Sequence, residues 1–229
     1  MRLVHPCFEN PLMLQETSCG VVVLERNQQF YEIVKEIKAQ CDSDDGDFSL
    51  SRDMKTLSFS RNVKLVTEFP FLEHNPRKAI TALHKQLNQS VVEEDRIEQI
   101  QSLLEQLTHV MRLIGQDAEA ELEEIESPTW LEVFKFFNIR FRTDFSKPEE
   151  ALSDYFQIMR KYCGFQFFIL ANALGYIEAE AIKKLSEQAQ YENFSILHLE
   201  NRISEAHQEV TQRVVIVDSE LCEIVINRL

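Results

Sequence analysis

Three absences narrow the class of protein to which this 229-residue sequence belongs. No uninterrupted apolar run approaches the roughly 20 residues that a membrane-spanning helix needs, and the N-terminal residues MRLVHPCFENP do not have the layout of a signal peptide. We therefore expect a cytoplasmic protein without a membrane partner. The five cysteines are widely spaced and form no CxxC pair, which argues against a disulfide framework or a zinc site.

Basic residues are scarce as well. The chain has 24 Lys and Arg against 38 Asp and Glu, which gives a net charge of −14. An acidic surface repels nucleic acid and anionic membranes, because affinity for phosphate comes largely from Lys and Arg. DNA binding by this chain therefore requires that its few cations gather on the face that meets phosphate.

Glycine is missing where a nucleotide-binding loop would need it. The segment FPFLEHNPRK (69–78) lies between a predicted strand and a predicted helix that Asn75 and Pro76 would open, yet it has no glycine. A phosphate-binding loop needs glycines so that backbone N–H groups can close on phosphate. Asp218 and Glu220 lie at the end of a predicted strand, but without a phosphate-binding loop in the sequence no function is assigned to them. DSDDGD (42–47) departs from the EF-hand order and is predicted to be a polar turn between a helix and a strand.

What is present is an alternation of apolar runs and amphipathic helices. Near-continuous apolar strands separated by helices are typical of a mostly parallel sheet that is covered on both faces. The 44% hydrophobic content supports a folded α/β protein. The predicted strands of this kind are GVVVLE (20–25), VKLVTE (63–68), NIRFRT (138–143), FQFFILANA (165–173), FSILHLENR (194–202) and RVVIVD (213–218).

A helical arm is predicted between the second and third of these strands. Apolar residues fall at 97, 100, 104, 107, 111 and 114, in alternating steps of three and four, which is a heptad seam. Ile80, Leu83 and Leu87 offer a complementary stripe on the preceding helix, and Ser90 is a candidate cap in the polar break. Packing within the chain is the more typical use of such a seam, and self-assembly is the alternative. His84, with polar and basic neighbours, is predicted to lie on the surface.

The segment EAELEEIES (119–127), together with Asp117, places six carboxylates within ten residues. No Lys or Arg lies between Arg112 and Lys135 to offset them. One interpretation is a solvated, self-repelling helix end. The other is a bend at Pro128 where carbonyls and carboxylates converge on a hard cation that takes six to eight oxygens.

The cations available for DNA lie in three stretches of the sequence. Alternate residues of a strand point the same way, so Arg140 and Arg142 are predicted to share a face. Contacts would be to phosphates, with little base preference; the alternative is that these are ordinary surface charges or ion pairs. Phe134, Phe136 and Phe137 are predicted to be core residues. The full set of candidate DNA-binding residues is Lys135, Arg140, Arg142, Arg52, Lys55, Arg61, Lys64, Arg77 and Lys78.

Two blocks resemble the ring-forming accessory protein of type II-A CRISPR loci: LVTEFPFLEHNPRKAITALHKQLNQ (65–89) and FFILANALGYIEAEAIKKLSEQAQYENFSILHLENR (167–202). The resemblance implies an α/β head related to P-loop and RecA-like cores without a working nucleotide site, and an inserted helical leg. It also implies a calcium-binding homotetrameric ring that threads onto double-stranded DNA ends and supports acquisition of new spacers beside the integrase subunits and effector nuclease. The family's calcium binding suggests Glu121, Glu123, Glu124, Glu126 and Glu132 as ligands.

We therefore expect a head of residues 1–75 and 138–229 and an arm of residues 76–137. The predicted function is non-catalytic, calcium-dependent binding of double-stranded DNA ends by a homotetramer. A degenerate P-loop-like ATPase or kinase, and an acidic scaffold that binds proteins through the arm, are the alternatives.

Overall fold

The structure, a computed structural model, describes residues 1–14, 19–93, 97–120, 123, 126–203 and 213–227. The chain forms two compact units: the first consists of Met1–His74 and Thr143–Leu229, and the second of Asn75–Arg142. The sequence pattern predicts the corresponding boundaries at residues 75 and 138. In the parts of the chain just named, no helix has both the length and the apolar character needed to cross a membrane.

A six-stranded sheet forms the centre of the first unit. In spatial order its strands are β10 (Glu223–Asn227), β9 (Arg213–Val217), β3 (Cys19–Leu24), β8 (Ser195–Glu200), β7 (Phe167–Ala171) and β6 (Val63–Val66). The edge strand β10 is antiparallel to β9, and every other pair is parallel. The predicted α/β class with a mostly parallel sheet is therefore confirmed.

Helices flank this sheet and build the second unit. In chain order they are α1 (Asn27–Ser43), α2 (Phe59–Asn62), α3 (Arg77–Glu93), α4 (Ile97–Gln116), α5 (Trp130–Phe136), α6 (Pro148–Ile158) and α7 (Ala179–Glu192). A π-helical turn, Met159–Cys163, continues α6, and short 3₁₀ turns lie at Phe69–Phe71 and Ala173–Gly175.

The sheet is covered on both faces, as its continuous apolar strands predict. Successive residues of β7 point to opposite faces. Phe167 and Ile169 join the cluster that includes residues of α1, whereas Phe168 packs against Phe156 of α6 and against Phe194, with ring centroids 4.6 Å and 5.5 Å apart. Each of these five side chains is fully buried, and burying one phenylalanine contributes roughly 2–3 kcal/mol.

A second, antiparallel sheet covers part of α1. Its order is β2 (Leu12–Met13), β1 (Arg2–Val4), β4 (Ser49–Arg52) and β5 (Lys55–Leu57). The polar turn that follows α1 is fixed by the buried amide of Gln40. Its Nε2 donates to the Phe48 carbonyl at 2.6 Å, and its Oε1 accepts the Phe48 N–H at 3.0 Å. The prediction of a turn between a helix and a strand is thus confirmed for residues 44–47, whereas residues 42 and 43 form the end of α1.

The second unit consists of α3, α4, α5 and the extended segment after them. The heptad seam lies on α4 as predicted, but much of it is not packed within the chain. Leu107, Met111 and Ile114 are 53%, 44% and 58% exposed. Ser90 is not a cap, because it lies within α3 and its hydroxyl donates to the carbonyl of Gln86, one turn earlier.

The prediction of a strand at NIRFRT is wrong, because residues 138–143 form no strand. The left-handed Asn138 (φ 51°) ends the turn after α5, and side chains then take the backbone groups that a sheet would use. His84 binds the Ile139 carbonyl at 2.9 Å, and Asn75 binds both backbone groups of Phe141. His84 is itself buried against Phe134, so its predicted surface position is wrong as well.

Candidate nucleic-acid interface

Five of the predicted DNA-binding cations lie in the second unit. Arg77 and Lys78 open α3, Lys135 lies in the last turn of α5, and Arg140 and Arg142 lie in the segment that follows. All five side chains are exposed. Residues 75–81 and 133–142 contain these five cations and no carboxylate. We call these five residues the basic patch.

Asn75 joins the two halves of the basic patch. The Phe141 N–H donates to Asn75 Oδ1 at 2.8 Å, and Asn75 Nδ2 donates to the Phe141 carbonyl at 3.1 Å. Arg77 lies two residues after Asn75, and Arg140 and Arg142 lie on either side of Phe141. These two hydrogen bonds therefore bring the start of α3 next to the segment that carries Arg140 and Arg142.

A histidine fixes the same segment about two turns further along α3. His84 Nε2 lies 2.9 Å from the carbonyl oxygen of Ile139. Because a carbonyl can only accept, Nε2 carries the proton and donates. Phe141 is half-buried between the exposed Arg140 and Arg142. In an extended chain, alternate residues face the same way, so both guanidinium groups lie on the solvent side although the segment belongs to no sheet.

Two phenylalanines next to Lys135 are exposed. Phe136 is 83% exposed and Phe137 is 68% exposed, with their ring centroids 5.3 Å apart in an edge-on arrangement. Their predicted core position is wrong, whereas that of Phe134, 7% exposed, is confirmed. The short helix α5 buries the face that carries Phe134, and this leaves Phe136 and Phe137 exposed to solvent. Exposed aromatic faces beside cations are a common feature of nucleic-acid-binding surfaces.

The other four predicted cations lie in the first unit, and two of them, Arg52 and Lys64, contact protein groups. The Arg52 guanidinium donates to Gln166 Oε1 at 3.0 Å and to Asn193 Oδ1 at 2.8 Å, so it bridges the segments before β7 and β8. The Lys64 ammonium lies 5.9 Å from the centre of the Phe165 ring. Lys55 in β5 and Arg61 in α2 are exposed.

The predicted metal ligands are only partly described. Glu121 and Glu124 lie outside the described residues, and Glu123 and Glu126 are exposed. In the described part of the chain, Glu123, Glu126 and Glu132 belong to no group of three or more ligating side chains that converge within 4.8 Å.

Glu132 has a structural role at the start of α5. Its Oε2 accepts from the backbone N–H and the hydroxyl of Thr129, both at 2.7 Å, and the Thr129 hydroxyl accepts from the Glu132 N–H at 3.4 Å. This is a capping box. The two bonds from Thr129 hold the pKa of Glu132 below its ordinary value, so the carboxylate is ionised at neutral pH.

The positions where α/β folds usually hold nucleotides do not have the required chemistry. The chain has no glycine from residue 21 to 45 or from 47 to 114, and these stretches include the segments after β3 and after β6. Asp218 is hydrogen-bonded within the turn between β9 and β10. Its Oδ1 accepts the backbone N–H groups of Glu220 at 2.8 Å and Cys222 at 2.9 Å.

The family model of CRISPR-associated protein (Cas_Csn2) matches residues 40–221. The chain belongs to the Cas_Csn2 family. Its function is therefore CRISPR-associated, and the resemblance inferred from residues 65–89 and 167–202 is confirmed.

Among solved structures, this Cas_Csn2 chain is similar to Stu0660 of Streptococcus thermophilus. The TM-score is 0.58 at 12% sequence identity, and the match covers 95% of this chain and 75% of Stu0660. A match at this identity shows a shared fold alone. The chain also matches an inward-facing conformation of a candidate metal-chelate type ABC transporter, with a TM-score of 0.41, 7% identity and coverage of 95% and 74%, which is too loose a likeness to carry an argument. No curated protein matches the sequence.

A basic pair that sequence reasoning missed lies in the first unit of this Cas_Csn2 chain. Arg160 and Lys161 line a groove of about 780 Å³ together with Arg52. Arg160 forms an ion pair with Glu192, and its guanidinium lies 4.8 Å from the centre of the Phe194 ring. Two adjacent cations just before Gly164 are the signal in the sequence. This groove has three cations and is also lined by Glu192, whereas the basic patch has five cations, so the basic patch is the stronger DNA candidate.

Proposed function

We propose that this Cas_Csn2 chain binds the ends of double-stranded DNA through phosphate contacts, without base preference and without catalysing a reaction. It does so as a calcium-dependent homotetrameric ring, during acquisition of new spacers beside the integrase subunits and effector nuclease. The observation that carries the proposal is the basic patch. Its five exposed cations lie in two short stretches that contain no carboxylate, residues 75–81 and 133–142, in a chain of net charge −14.

Charge sorting makes such a patch effective. Phosphate binding is driven locally, by cations that displace condensed counterions from the duplex. Charges further than about 10 Å from the contact are largely screened at 0.1 M salt. The excess of carboxylates elsewhere therefore weakens binding to DNA much less than the net charge alone suggests.

The exposed face of α4 supports self-assembly. It presents apolar side chains over three turns, each between 44% and 58% exposed, namely Leu103, Leu107, Val110, Met111, Leu113 and Ile114. Large exposed apolar patches are uncommon on monomeric proteins and mark sites of interaction. A closed assembly of four copies would cover these faces and repeat the basic patch four times around one opening.

Calcium is proposed to bind at the acidic segment that follows α4. Six carboxylates within ten residues repel one another, and a hard divalent cation removes that repulsion. Glu132 is the least suitable of the five proposed ligands, because both of its roles in the capping box would have to be given up or shared.

The lack of glycine after β3 and after β6 supports a non-catalytic role. We infer that the main sheet is related to P-loop cores, since β3 lies between parallel neighbours and leads directly into α1, where a phosphate loop would lie. The residues there, Glu25 to Asn27, contain no glycine. Asp218, the carboxylate at the end of β9, already accepts two backbone N–H groups.

Sedimentation with linear and with covalently closed circular DNA of the same sequence tests the proposal. We expect a tetramer in calcium that binds the linear duplex and leaves the closed circle unbound, and loss of both properties in chelator. Equal binding to both DNA forms would exclude threading. Assembly without any DNA binding at low salt would favour the acidic scaffold instead.

A further inference from the structure

Three ligating side chains from three different elements converge in the first unit. They are His5, just after β1; Glu36, on α1; and Asp47, in the turn before β4. One ligand atom of each lies within 4.8 Å of the other two. We propose that these three residues bind a divalent transition-metal ion of the zinc class, at a site separate from the proposed calcium ligands.

Buried contacts hold the imidazole in place. His5 is 6% exposed, and its ring stacks on Phe48 with a centroid distance of 4.0 Å and an interplanar angle of 19°. Phe48 is held in turn by Gln40, which bonds both of its backbone groups. The ligand that is hardest to move is therefore already oriented, as a metal site requires.

Glu36 links the other two ligands. Its Oε1 lies 3.0 Å from His5 Nε2 and accepts the backbone N–H of Asp47 at 3.2 Å. Two donors bound to one tetrahedral zinc ion are about 3.3 Å apart, because each bond is about 2.0–2.1 Å long. The pair His5 and Glu36 already has nearly this spacing. Asp47 is exposed and has the freedom to close the third position.

Metal binding must change the position of the proton on the His5 imidazole, as the hydrogen bonds of this ring show. The Cys7 N–H donates to His5 Nδ1 at 3.1 Å, so without metal the ring proton is on Nε2 and points at Glu36. Metal takes the place of that proton on Nε2, and the neutral ring then carries its proton on Nδ1. Cys7 Sγ, 2.8 Å from Nδ1, is placed to accept it. The Cys7 amide loses its acceptor in this form, so we expect an affinity below that of a structural zinc site.

The donor set selects the class of ion. Imidazole nitrogen suits zinc, cobalt, nickel and copper, whereas calcium requires six to eight oxygen ligands. One nitrogen and two carboxylate oxygens leave at least one position for water. Excess calcium should therefore compete poorly for these residues.

Two titrations of chelator-treated full-length protein test the site. Calorimetry monitors the titration with zinc, and visible absorption monitors the titration with cobalt. We expect binding that survives a large excess of calcium. Asp47→Asn and Glu36→Gln should each weaken zinc at least about tenfold. The glutamine still accepts the two bonds that Glu36 accepts, so an unchanged melting temperature without metal shows that the fold is intact.

Asp45→Asn is the matched control, since Asp45 is exposed in the same turn but outside the cluster. It should bind zinc as the wild type does, and so should the double variant Glu123→Gln/Glu126→Gln. Equal zinc affinity in Asp47→Asn, Glu36→Gln and Asp45→Asn would overturn the proposal. So would zinc binding that is lost in the Glu123/Glu126 variant, or no zinc binding at all.

Discussion

Replacing Arg140 and Arg142 with glutamine isolates the contribution of the basic patch to DNA binding. The two guanidinium groups lie on the solvent side of one extended segment, and the two hydrogen bonds from Asn75 to this segment are made to the Phe141 backbone. The double variant therefore removes two phosphate contacts without loosening the anchor at Asn75. We expect normal folding and weaker, less salt-sensitive binding.

The size of the effect follows from the number of cations. Each phosphate contact on B-DNA contributes about −0.9 to the slope of log K against log salt. Five contacts per protomer give a slope near −4.5, and three give about −2.7. At 0.1 M salt each contact contributes a factor of about 8, so the double variant should bind roughly 60-fold more weakly. At 0.2 M the factor per contact is about 4, and the loss shrinks to roughly 20-fold.

Fluorescence anisotropy with a linear duplex over a series of salt concentrations measures both numbers. The control is Lys183→Gln/Lys184→Gln, which removes the same charge from α7, where Lys184 pairs with Glu180 at 3.2 Å. This control should keep the wild-type slope. If both double variants lose the same affinity and keep the same slope, the basic patch makes no direct contact and only the net charge matters.

Three further outcomes can be checked. Asn75→Ala removes both bonds to the Phe141 backbone and should destabilise the protein by roughly 1–3 kcal/mol in urea unfolding; an unchanged midpoint would mean that this anchor is redundant. Leu107→Glu with Met111→Glu should leave a folded monomer by sedimentation, and a persisting tetramer would place assembly elsewhere. Burial raises the pKa of Glu200 from 4.5 to about 7, so the folded protein holds this proton between those values and loses stability as the pH rises through them. Above pH 7 the free energy of unfolding of Glu200→Gln should therefore exceed that of the wild type by up to about 3 kcal/mol, with no gain below pH 4.5. Urea unfolding at both pH values measures this difference, and a gain of the same size at both would contradict the assignment.

The central strands could be predicted because they are buried on both faces. A continuous apolar run such as FFILA has few alternatives to a sheet core. The strands β6, β7, β8 and β9 lie within predicted segments, and β3 begins one residue before its predicted segment. The strand prediction at NIRFRT was wrong because alternating apolar and polar residues show only that one side of the segment is buried, not that it pairs with another strand. Here side chains, not a neighbouring strand, take up the backbone groups: Asn75 binds those of Phe141, and His84 of α3 binds the Ile139 carbonyl.

The candidate site could be predicted only as a list of cations. Whether a cation is available depends on partners far away in the sequence, as with Arg52, which is bound to Gln166 and Asn193. His84 did carry a signal, because it lies at i+4 from Ile80 and i−3 from Leu87 on the inner face of α3. His5 and Glu36, 31 residues apart in no known motif, could be joined only by the fold.

The basic patch and the acidic segment belong to the same 68-residue unit, Asn75–Arg142, so calcium and DNA should be linked. If calcium raises DNA affinity by some factor, DNA must raise calcium affinity by the same factor. Two routes to this coupling differ in their salt dependence. Direct neutralisation of carboxylates near the bound phosphates acts over about 10 Å at 0.1 M salt and should fade as salt is raised. Calcium that instead organises the apolar contacts of α4 acts through burial, which salt does not screen. A coupling factor measured at two salt concentrations therefore separates an electrostatic role of calcium from a role in assembly, and Leu107→Glu/Met111→Glu should abolish only the second.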